Sequence, residues 1–311
     1  QKPPKPPRQR GGGGAGKVIV IILLLLIPVL LAVLLIAVLY SHRNREPHPT
    51  MSDAPTVPAV ADPSTGRFCM LSRIEEERYR YGHPRYNKAI TLEGFCEDFR
   101  NFAAYQLKLY YEIDDIRRFV AGMAVSKILI LQGMSGTGKT SLAHAFGEFV
   151  DNRSTVIPVQ PMWKERTDLI GYYNEFTQRF NETLLLEKMY EANYSGDLYV
   201  TVLDEMNIAR VEYYFAEFLS LLELPNPEER YLTVVSDTWE SDPAQLKDGR
   251  IKLPVNMWFI GTANNDDSTF AISDKVYDRA MIMNLDKKAE PFVAPPTQSV
   301  ALSCDHLQKL F

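Results

Sequence analysis

Apolar runs alternate with amphipathic stretches through residues 127–285, and this alternation predicts the fold. The apolar runs are 127–131, 155–159, 199–203, 257–262 and 280–285. Stretches with helical periodicity separate them, which is typical of parallel strands joined by crossover helices. Two of the runs are almost wholly apolar, as expected for strands that are covered on both faces. The pattern therefore predicts an α/β fold with a five-stranded parallel sheet and flanking helices, and ligands are expected at the carboxyl ends of the strands.

Two stretches carry helical periodicity that is clear enough to place. Apolar residues within 92–122 recur at spacings of three, four or seven, which predicts one or two helices packed against the sheet. A second stretch, after the run at 199–203, predicts a single helix. Its apolar stripe comprises Ile208, Val211, Phe215, Phe218 and Leu222. Tyr213, Tyr214 and Glu217 fall off this stripe, where exposed aromatic rings would contact a partner and a partly buried helix is the simpler alternative.

The N-terminal residues divide into three segments that differ from the rest of the chain. Residues 1–17 combine four prolines, a run of four glycines and five Lys/Arg, which predicts a disordered basic tail. Residues 18–40 contain no charge over 23 positions and predict a single transmembrane helix. A buried soluble helix is the alternative, but so uniform a run has no polar face to orient it. Residues 41–66 contain five prolines and no aromatic residue, which predicts a flexible linker.

The remainder is predicted to be globular. Residues 67–126 are predicted to form a helical N-terminal part, 127–290 the core, and 291–311 the start of a C-terminal region. Within the core, 225–235 and 250–254 predict a hairpin whose loop is 236–249.

Charge is distributed unevenly and narrows the choice of partners. Residues 1–50 carry seven Lys/Arg and one Glu, which leaves 27 basic and 38 acidic residues, a net charge of −11, for residues 51–311. An acidic globular part disfavours nonspecific DNA binding without excluding DNA as a partner. Three widely separated cysteines show neither metal-ligand spacing nor a disulfide framework.

A glycine-rich segment directly after the first predicted strand carries the most specific signal. Residues 133–140 read Gly-Met-Ser-Gly-Thr-Gly-Lys-Thr and satisfy G-x-x-x-x-G-K-[ST], the phosphate-binding loop. Its glycines allow backbone N–H groups and the N-terminus of the next helix to surround one anion, which Lys139 would also reach. The residues predicted to bind nucleotide are Gly133, Met134, Ser135, Gly136, Thr137, Gly138, Lys139, Thr140 and Ser141.

Two carboxylates end the apolar run that starts near residue 198, a pattern known as Walker B. Mg²⁺ prefers oxygen ligands, so Thr140 and Asp204 are predicted to hold the ion, and Glu205 is predicted to activate the attacking water. The alternative is a strand that ends in a solvated acidic turn. The two carboxylates come about 65 residues after a complete phosphate-binding loop, and this spacing favours the catalytic interpretation over the acidic turn.

Asn264 and Arg279 are the remaining candidates. Asn264 ends another apolar strand and could contact the γ-phosphate or the water, or else stabilise a turn. Arg279 precedes the last predicted strand and could stabilise transition-state charge on a neighbouring subunit's nucleotide, with a paired surface arginine as the alternative.

Taken in order, these motifs resemble those of AAA+ ATPases, and more narrowly the branch with McrB-type, MoxR-type and midasin/dynein proteins. The residues that carry the resemblance are 133–140, 160–163, 167–174, 203–207, 261–264 and 278–279. The resemblance implies that Asn264 is the sensor residue, that Arg279 acts in trans, and that 168–174 lies near the insert that distinguishes this branch. It also implies ATP, with GTP possible, Mg²⁺ as the cofactor, and a self-assembled ring, by resemblance a hexamer.

The chain departs from that family's pattern at three places. Ile208 follows Asn207 where relatives often have arginine, and the arginine comes at Arg210. Ala263 replaces the methionine of McrB-type proteins, so guanine preference is not carried over. Only residues 286–311 follow the last predicted strand, too few for the family's helical lid, which is expected to be missing or truncated.

The function expected from these observations is a membrane-anchored ATPase that remodels an unknown protein partner. The alternatives are a nucleotide-switched scaffold with little turnover and a McrB-like DNA-restriction motor. Positively charged residues before 18–40 would place the N-terminus in the cytoplasm and the domain outside, and three N-x-[ST] sequons superficially agree. The nucleotide requirement is stronger, so a single-pass membrane protein with a cytoplasmic ATPase domain is expected.

Overall fold

The computed structural model describes residues 66–81, 85–266 and 269–311. The predicted tail at 1–17, the predicted membrane helix at 18–40 and nearly all of the predicted linker lie outside these residues. Of the helices that are described, none is long and apolar enough to cross a bilayer. The three cysteines, all within the described residues, are free thiols.

The strands of the described residues form three sheets. In chain order they are β1 (Ile128–Gly133), β2 (Thr155–Pro158), β3 (Gly171–Asn174), β4 (Arg179–Glu182), β5 (Tyr199–Asp204), β6 (Tyr231–Thr233), β7 (Leu246–Lys247), β8 (Arg250–Lys252), β9 (Met257–Asn264) and β10 (Met281–Asn284). The largest sheet has the order β10-β1-β9-β5-β2, and all its pairs are parallel. The predicted five-stranded parallel sheet is therefore confirmed, and each strand lies within two residues of a predicted run.

The helices pack around this sheet. They are α1 (Met70–Glu76), α2 (Leu92–Leu107), α3 (Ile113–Val125), α4 (Lys139–Phe149), α5 (Thr167–Ile170), α6 (Leu184–Ala192), α7 (Val211–Tyr214), α8 (Ala216–Glu223), α9 (Asp274–Tyr277) and α10 (Cys304–Leu310). The predicted helical stretch at 92–122 is two helices. The first is capped by Thr91, whose Oγ1 accepts a hydrogen bond from the Gly94 N–H, and it ends at Lys108 in a left-handed conformation.

Both faces of the three central strands, β1, β9 and β5, are buried, as their apolar runs predict. Successive side chains of a strand point to opposite faces, so Ile128 and Ile130 join one hydrophobic cluster while Leu129 and Leu131 join the other. Phenylalanines from α2, α3 and α4 fill the second cluster; Phe99 and Phe149, for example, stack with ring centroids 5.3 Å apart. Covered on both faces, the sheet holds its strand ends in fixed positions.

The prediction of one continuous helix after β5 is wrong. A 3₁₀ turn (Met206–Ile208) comes first, and α7 and α8 follow, separated at Phe215, which has φ −109° and ψ 4°. Tyr214, predicted to fall off the apolar stripe, is fully buried. Its hydroxyl donates a 2.9 Å hydrogen bond to the Met206 carbonyl, so the polar group has a partner inside the protein. Tyr213 is 55% exposed, and Glu217 forms a 2.8 Å ion pair with Arg166.

The predicted hairpin within 225–254 is confirmed and gains a third strand. β6 and β8 pair antiparallel, and β7, from the predicted loop, pairs with β8 as well.

Residues 168–174 form most of α5 and the whole of β3, which pairs antiparallel with β4. Buried Arg67 links the start of the globular part to the long loop through ion pairs with Asp237 (2.8 Å) and Asp242 (2.7 Å).

Candidate functional site

The register of the parallel sheet brings the predicted site residues together. Gly133 of β1 lies beside Asn264 of β9, and Leu203 of β5 lies beside Gly261. Residues from segments more than 50 positions apart therefore meet at the carboxyl edge, around a pocket of about 220 Å³. Its lining residues are Ser135, Gly136, Gly138, Lys139, Thr140, Ser141, Asp204, Glu205, Thr262 and Asn264.

The glycine-rich loop can take its path only because of particular glycines. Gly133 has φ 148°, and a Cβ there would lie 2.4 Å from the Leu285 carbonyl oxygen. Gly138, with φ 96°, turns the chain directly into α4. Three predicted binding residues, Gly133, Met134 and Thr137, do not line the pocket: Met134 is 70% exposed, and the buried Thr137 donates its hydroxyl to the Met134 carbonyl at 3.1 Å.

Lys139 is held inside the loop. Its Nζ donates hydrogen bonds to the carbonyls of Gly133 (3.0 Å) and Met134 (2.7 Å), and the side chain is 6% exposed. Burial lowers the pKa of this ammonium group, while the carboxylates of Asp204, Asp266 and Glu205 act in the opposite direction. A buried cation held only by neutral carbonyls can bind an anion in the pocket, which fits the phosphate groups of a nucleotide.

Asp204 lies between two threonine hydroxyls. Its Oδ1 accepts hydrogen bonds from Thr140 Oγ1 (2.7 Å) and Thr262 Oγ1 (2.8 Å). Carboxylate and hydroxyl oxygens that converge on one point are the ligand type that Mg²⁺ prefers. The residues present therefore fit the predicted magnesium site, with Thr140 and Asp204 as candidate ligands. Thr262 was not predicted; it follows Gly261 in a buried strand, and only the sheet register brings it to Asp204.

Glu205 follows in a backbone conformation that is uncommon for its residue type. Its φ is +52°, in the left-handed region, and its N–H donates a 2.9 Å hydrogen bond to Thr262 Oγ1. Non-glycine residues in this conformation are concentrated at functional sites, where surrounding contacts hold them. The exposed carboxylate lines the pocket beside Asp204, as a water-activating group would.

Asn264 is half-buried at the end of β9, and a second amide fixes its backbone. Asn207 Nδ2 donates hydrogen bonds to the carbonyls of Asn264 (3.0 Å) and Phe270 (3.2 Å), and Asn207 Oδ1 accepts one from the Asn264 N–H (3.3 Å). Asn207 is 4% exposed. From the sequence, no role at the site was predicted for Asn207, yet its side chain joins the two strand ends that carry Glu205 and Asn264.

One protein-family model matches the part of the chain that holds this site. Residues 128–280 match the AAA domain of the dynein-related subfamily. This match, over 153 of the 311 residues, supports a nucleoside triphosphatase. Among solved structures, it is similar to a protein described as a "putative ATPase" from Cytophaga hutchinsonii, with 16% identity and a TM-score of 0.45 over 77% of this chain. The match spans 65% of that protein, slightly less than two thirds of its length. No curated protein sequence matches significantly.

The glycine-rich loop also has a contact that no motif indicated. Tyr111, between α2 and α3, donates its hydroxyl to the Gly138 carbonyl at 3.2 Å. Burial raises the pKa of this phenol, so the group stays a donor at neutral pH. Arg100 Nε in turn donates a 3.0 Å hydrogen bond to the Tyr111 carbonyl, which links the loop to α2.

Arg279 does not line this pocket. It lies between α9 and β10 at the amino end of the sheet, with Nε 2.7 Å from Glu223 Oε1. Arg210 is also absent from the pocket: its guanidinium lies 5.2 Å from the centre of the Phe270 ring and 5.8 Å from that of Tyr213. Of the predicted residues, those at the carboxyl edge converge and Arg279 remains apart.

Proposed function

We propose that this protein is a membrane-anchored AAA ATPase that binds MgATP and hydrolyses it to remodel a protein partner. The observation that carries the proposal is the convergence of Lys139, Asp204 and Glu205 on one pocket. A cation for phosphate, an oxygen ligand for a metal and a second carboxylate for water are the groups that triphosphate hydrolysis needs. A scaffold that only senses nucleotide has no use for the second carboxylate.

Each residue has a distinct role in this proposal. Lys139 meets the charge of the β- and γ-phosphates, while Thr140 and Asp204 hold Mg²⁺, which neutralises developing charge when bound. Glu205 orients the attacking water and takes its proton, and Asn264 orients the same water or the terminal phosphate. These contacts are common to ATP and GTP, so a competition assay between the two belongs to the test.

The position of Arg279 supports a proposal on assembly. Because this arginine lies outside its own chain's nucleotide pocket, we infer that it completes the pocket of a neighbouring subunit in a ring, proposed to be a hexamer. The charge of −11 on residues 51–311 supports a protein rather than DNA as the partner.

The catalytic proposal is tested with the full chain and two lysine variants. Lys139→Ala should lose binding of a fluorescent ATP analogue and release of phosphate, whereas Lys164→Ala, which alters an exposed lysine outside the pocket, should keep both. Unlabelled ATP and GTP are compared as competitors. Hydrolysis at the wild-type rate by Lys139→Ala would refute the proposed site.

Anchoring and orientation are tested separately. The uncharged run at 18–40 supports a membrane anchor, and the need for nucleotide supports a cytoplasmic domain. The full chain should stay with membranes after alkaline extraction, and protease added to sealed spheroplasts should spare the domain until lysis. Release at high pH would contradict the anchor, and digestion in sealed spheroplasts would contradict the orientation.

A further inference from the structure

Arg279 lines a second pocket, of about 530 Å³, at the amino end of the sheet. Its charged lining residues are Lys127, Glu223, Arg230, Asp278 and Arg279. A side chain that acts across a subunit interface must be oriented in advance, because a catalytic group misplaced by about 1 Å can lose roughly 10²-fold in rate. An arginine has a long and flexible side chain, so the contacts that restrain Arg279 are informative.

The backbone of Arg279 is fixed on both sides. Its N–H donates a 3.1 Å hydrogen bond to the Val276 carbonyl, and its own carbonyl accepts one from Ser126 Oγ at 3.3 Å. Ser126 directly precedes Lys127 and β1, so Arg279 is held between α9 and the central part of the sheet. Only the guanidinium still needs to be oriented.

One hydrogen bond and one close ion pair restrain the guanidinium. Nη1 donates a 2.7 Å hydrogen bond to the Lys275 carbonyl, and Nε lies 2.7 Å from Glu223 Oε1 in an ion pair that lacks the geometry of a hydrogen bond. A guanidinium has five N–H groups in one plane, so the hydrogen bond limits its rotation while the carboxylate holds its charge on one side. Among the described residues this guanidinium forms no further hydrogen bond, which leaves N–H groups for an acceptor that another subunit would bring.

Helix stability does not account for an acidic residue at position 223. Glu223 is the last residue of α8, where the partial negative charge of a helix C-terminus disfavours a carboxylate. The ion pair is also partly exposed, with 27% of the Arg279 side chain and 50% of the Glu223 side chain accessible. Pairs this exposed contribute little to folding. A role in holding Arg279 explains the placement better.

We propose that Glu223 is a positioning residue that holds the Arg279 guanidinium ready for the nucleotide of the neighbouring subunit. This inference rests on the proposed function, in which Arg279 acts in trans. Glu223 itself touches no nucleotide. Its removal should therefore impair only the subunit that supplies the arginine, and leave the subunit that supplies the pocket unaffected.

The test mixes full-chain variants so that each active site is built from two known subunits. Arg279→Ala supplies an intact pocket without the arginine, and Glu205→Gln supplies the arginine with an inactive pocket. Their mixture should regain phosphate release, because some sites combine an intact Glu205 with an intact Arg279. Adding Glu223→Gln to the arginine-supplying subunit should lower this rescue about tenfold or more. Adding it to the pocket-supplying subunit should leave rescue unchanged.

A matched control lies on the same helix. Glu217 pairs with Arg166 at 2.8 Å with comparable exposure, 34% and 33%, and it does not line the Arg279 pocket. Glu217→Gln in the arginine-supplying subunit should leave rescue unchanged. Each variant is also measured for nucleotide affinity, and co-purification of differently tagged subunits measures assembly.

The outcomes separate this inference from the proposed function. No rescue in the first mixture would refute trans action itself. Rescue that Glu223→Gln leaves unchanged on the arginine-supplying side would refute the positioning role alone. Loss of rescue on both sides, or loss of co-assembly, would also overturn it, because Glu223 would then maintain the fold or the interface instead.

Discussion

The polar side chains at the two ends of the parallel sheet differ in their hydrogen bonding. At the carboxyl end, Asp204, Thr140 and Thr262 are joined by hydrogen bonds of 2.7 and 2.8 Å, and the Glu205 N–H is bonded as well. At the amino end, Arg279 contacts one carboxylate beside an open pocket, and Lys127 Nζ has no hydrogen-bond partner among the described residues. Hydrogen bonds within the chain join the residues of the carboxyl end, whereas cations and carboxylates surround an open pocket at the amino end.

The proposed function accounts for this difference between the two ends. Groups that must act within one chain are held by contacts inside that chain, since a loosely held catalytic group loses rate. A group that acts on another chain must keep part of its hydrogen-bonding capacity free.

Glu205→Gln should have the largest effect. The substitution keeps size and hydrogen bonding but removes the base, so turnover should fall by about 10²–10⁴-fold while nucleotide affinity is retained. Phosphate release and binding of a fluorescent nucleotide measure the two quantities. Glu240→Gln, at an exposed carboxylate outside the pocket, is the control. If both variants turn over normally, the carboxyl end is not the catalytic end.

Asn207→Ala should affect stability and turnover together. It removes the hydrogen bonds that join Asn264 and Phe270 to the segment after β5, and leaves buried groups unpaired. The free energy of unfolding should fall by about 1–3 kcal/mol, measured by urea denaturation. Asn265→Ala, at the exposed neighbouring amide, should change it by less than about 0.5 kcal/mol. Equal effects of the two variants would contradict the network.

Two buried threonines of the sheet test whether the hydroxyl of Thr262 supports the site. Thr262→Val should lower turnover about tenfold, since Asp204 and the Glu205 N–H both lose a partner worth about 1–1.5 kcal/mol. Thr201→Val is the matched control, because this buried hydroxyl on β5 has no hydrogen-bond partner among the described residues. It should retain activity and be neutral or slightly more stable. A similar loss in both variants would show that packing, not the hydroxyl, matters.

Lys127→Met tests the amino end and should have the smallest effect. Burial lowers the pKa of Lys127 from 10.5 to about 7, with Arg230 acting in the same direction and Cys304 opposing. The folded protein thus holds this proton less tightly than the unfolded chain does. The cost to stability is complete below about pH 7 and disappears as the pH rises towards 10.5.

The methionine variant should therefore be more stable than wild type by about 1 kcal/mol near pH 7, and the difference should shrink by pH 10. The Trp258 ring, 3.0 Å from Nζ, offsets part of the cost by favouring the charged form. Thermal unfolding across this pH range measures the difference, with Lys164→Met as an exposed control. A difference that does not vary with pH would argue against the perturbed lysine.

The phosphate-binding loop and the acidic pair could be predicted because their signals are local in the sequence. The segment 133–140 and the pair Asp204-Glu205 are contiguous, and each follows an apolar run that could form only a buried strand. The prediction for the segment after β5 was wrong, because the spacing of apolar residues there suggested one helix. Helical periodicity does not reveal that Tyr214 turns inward to the Met206 carbonyl, because that bond belongs to the tertiary fold.

The strands, the phosphate-binding loop and the two acidic residues could be predicted from the sequence, because periodicity and short motifs involve neighbouring residues. The tertiary fold brings distant residues to support them. Thr262 and Asp204 are 58 positions apart, and Asn207 and Asn264 are 57 apart. Such contacts depend on strand order and register, and the pairing of Arg279 with Glu223 depends on where α8 ends against the sheet. No local pattern encodes these distances, because packing of the whole domain sets them.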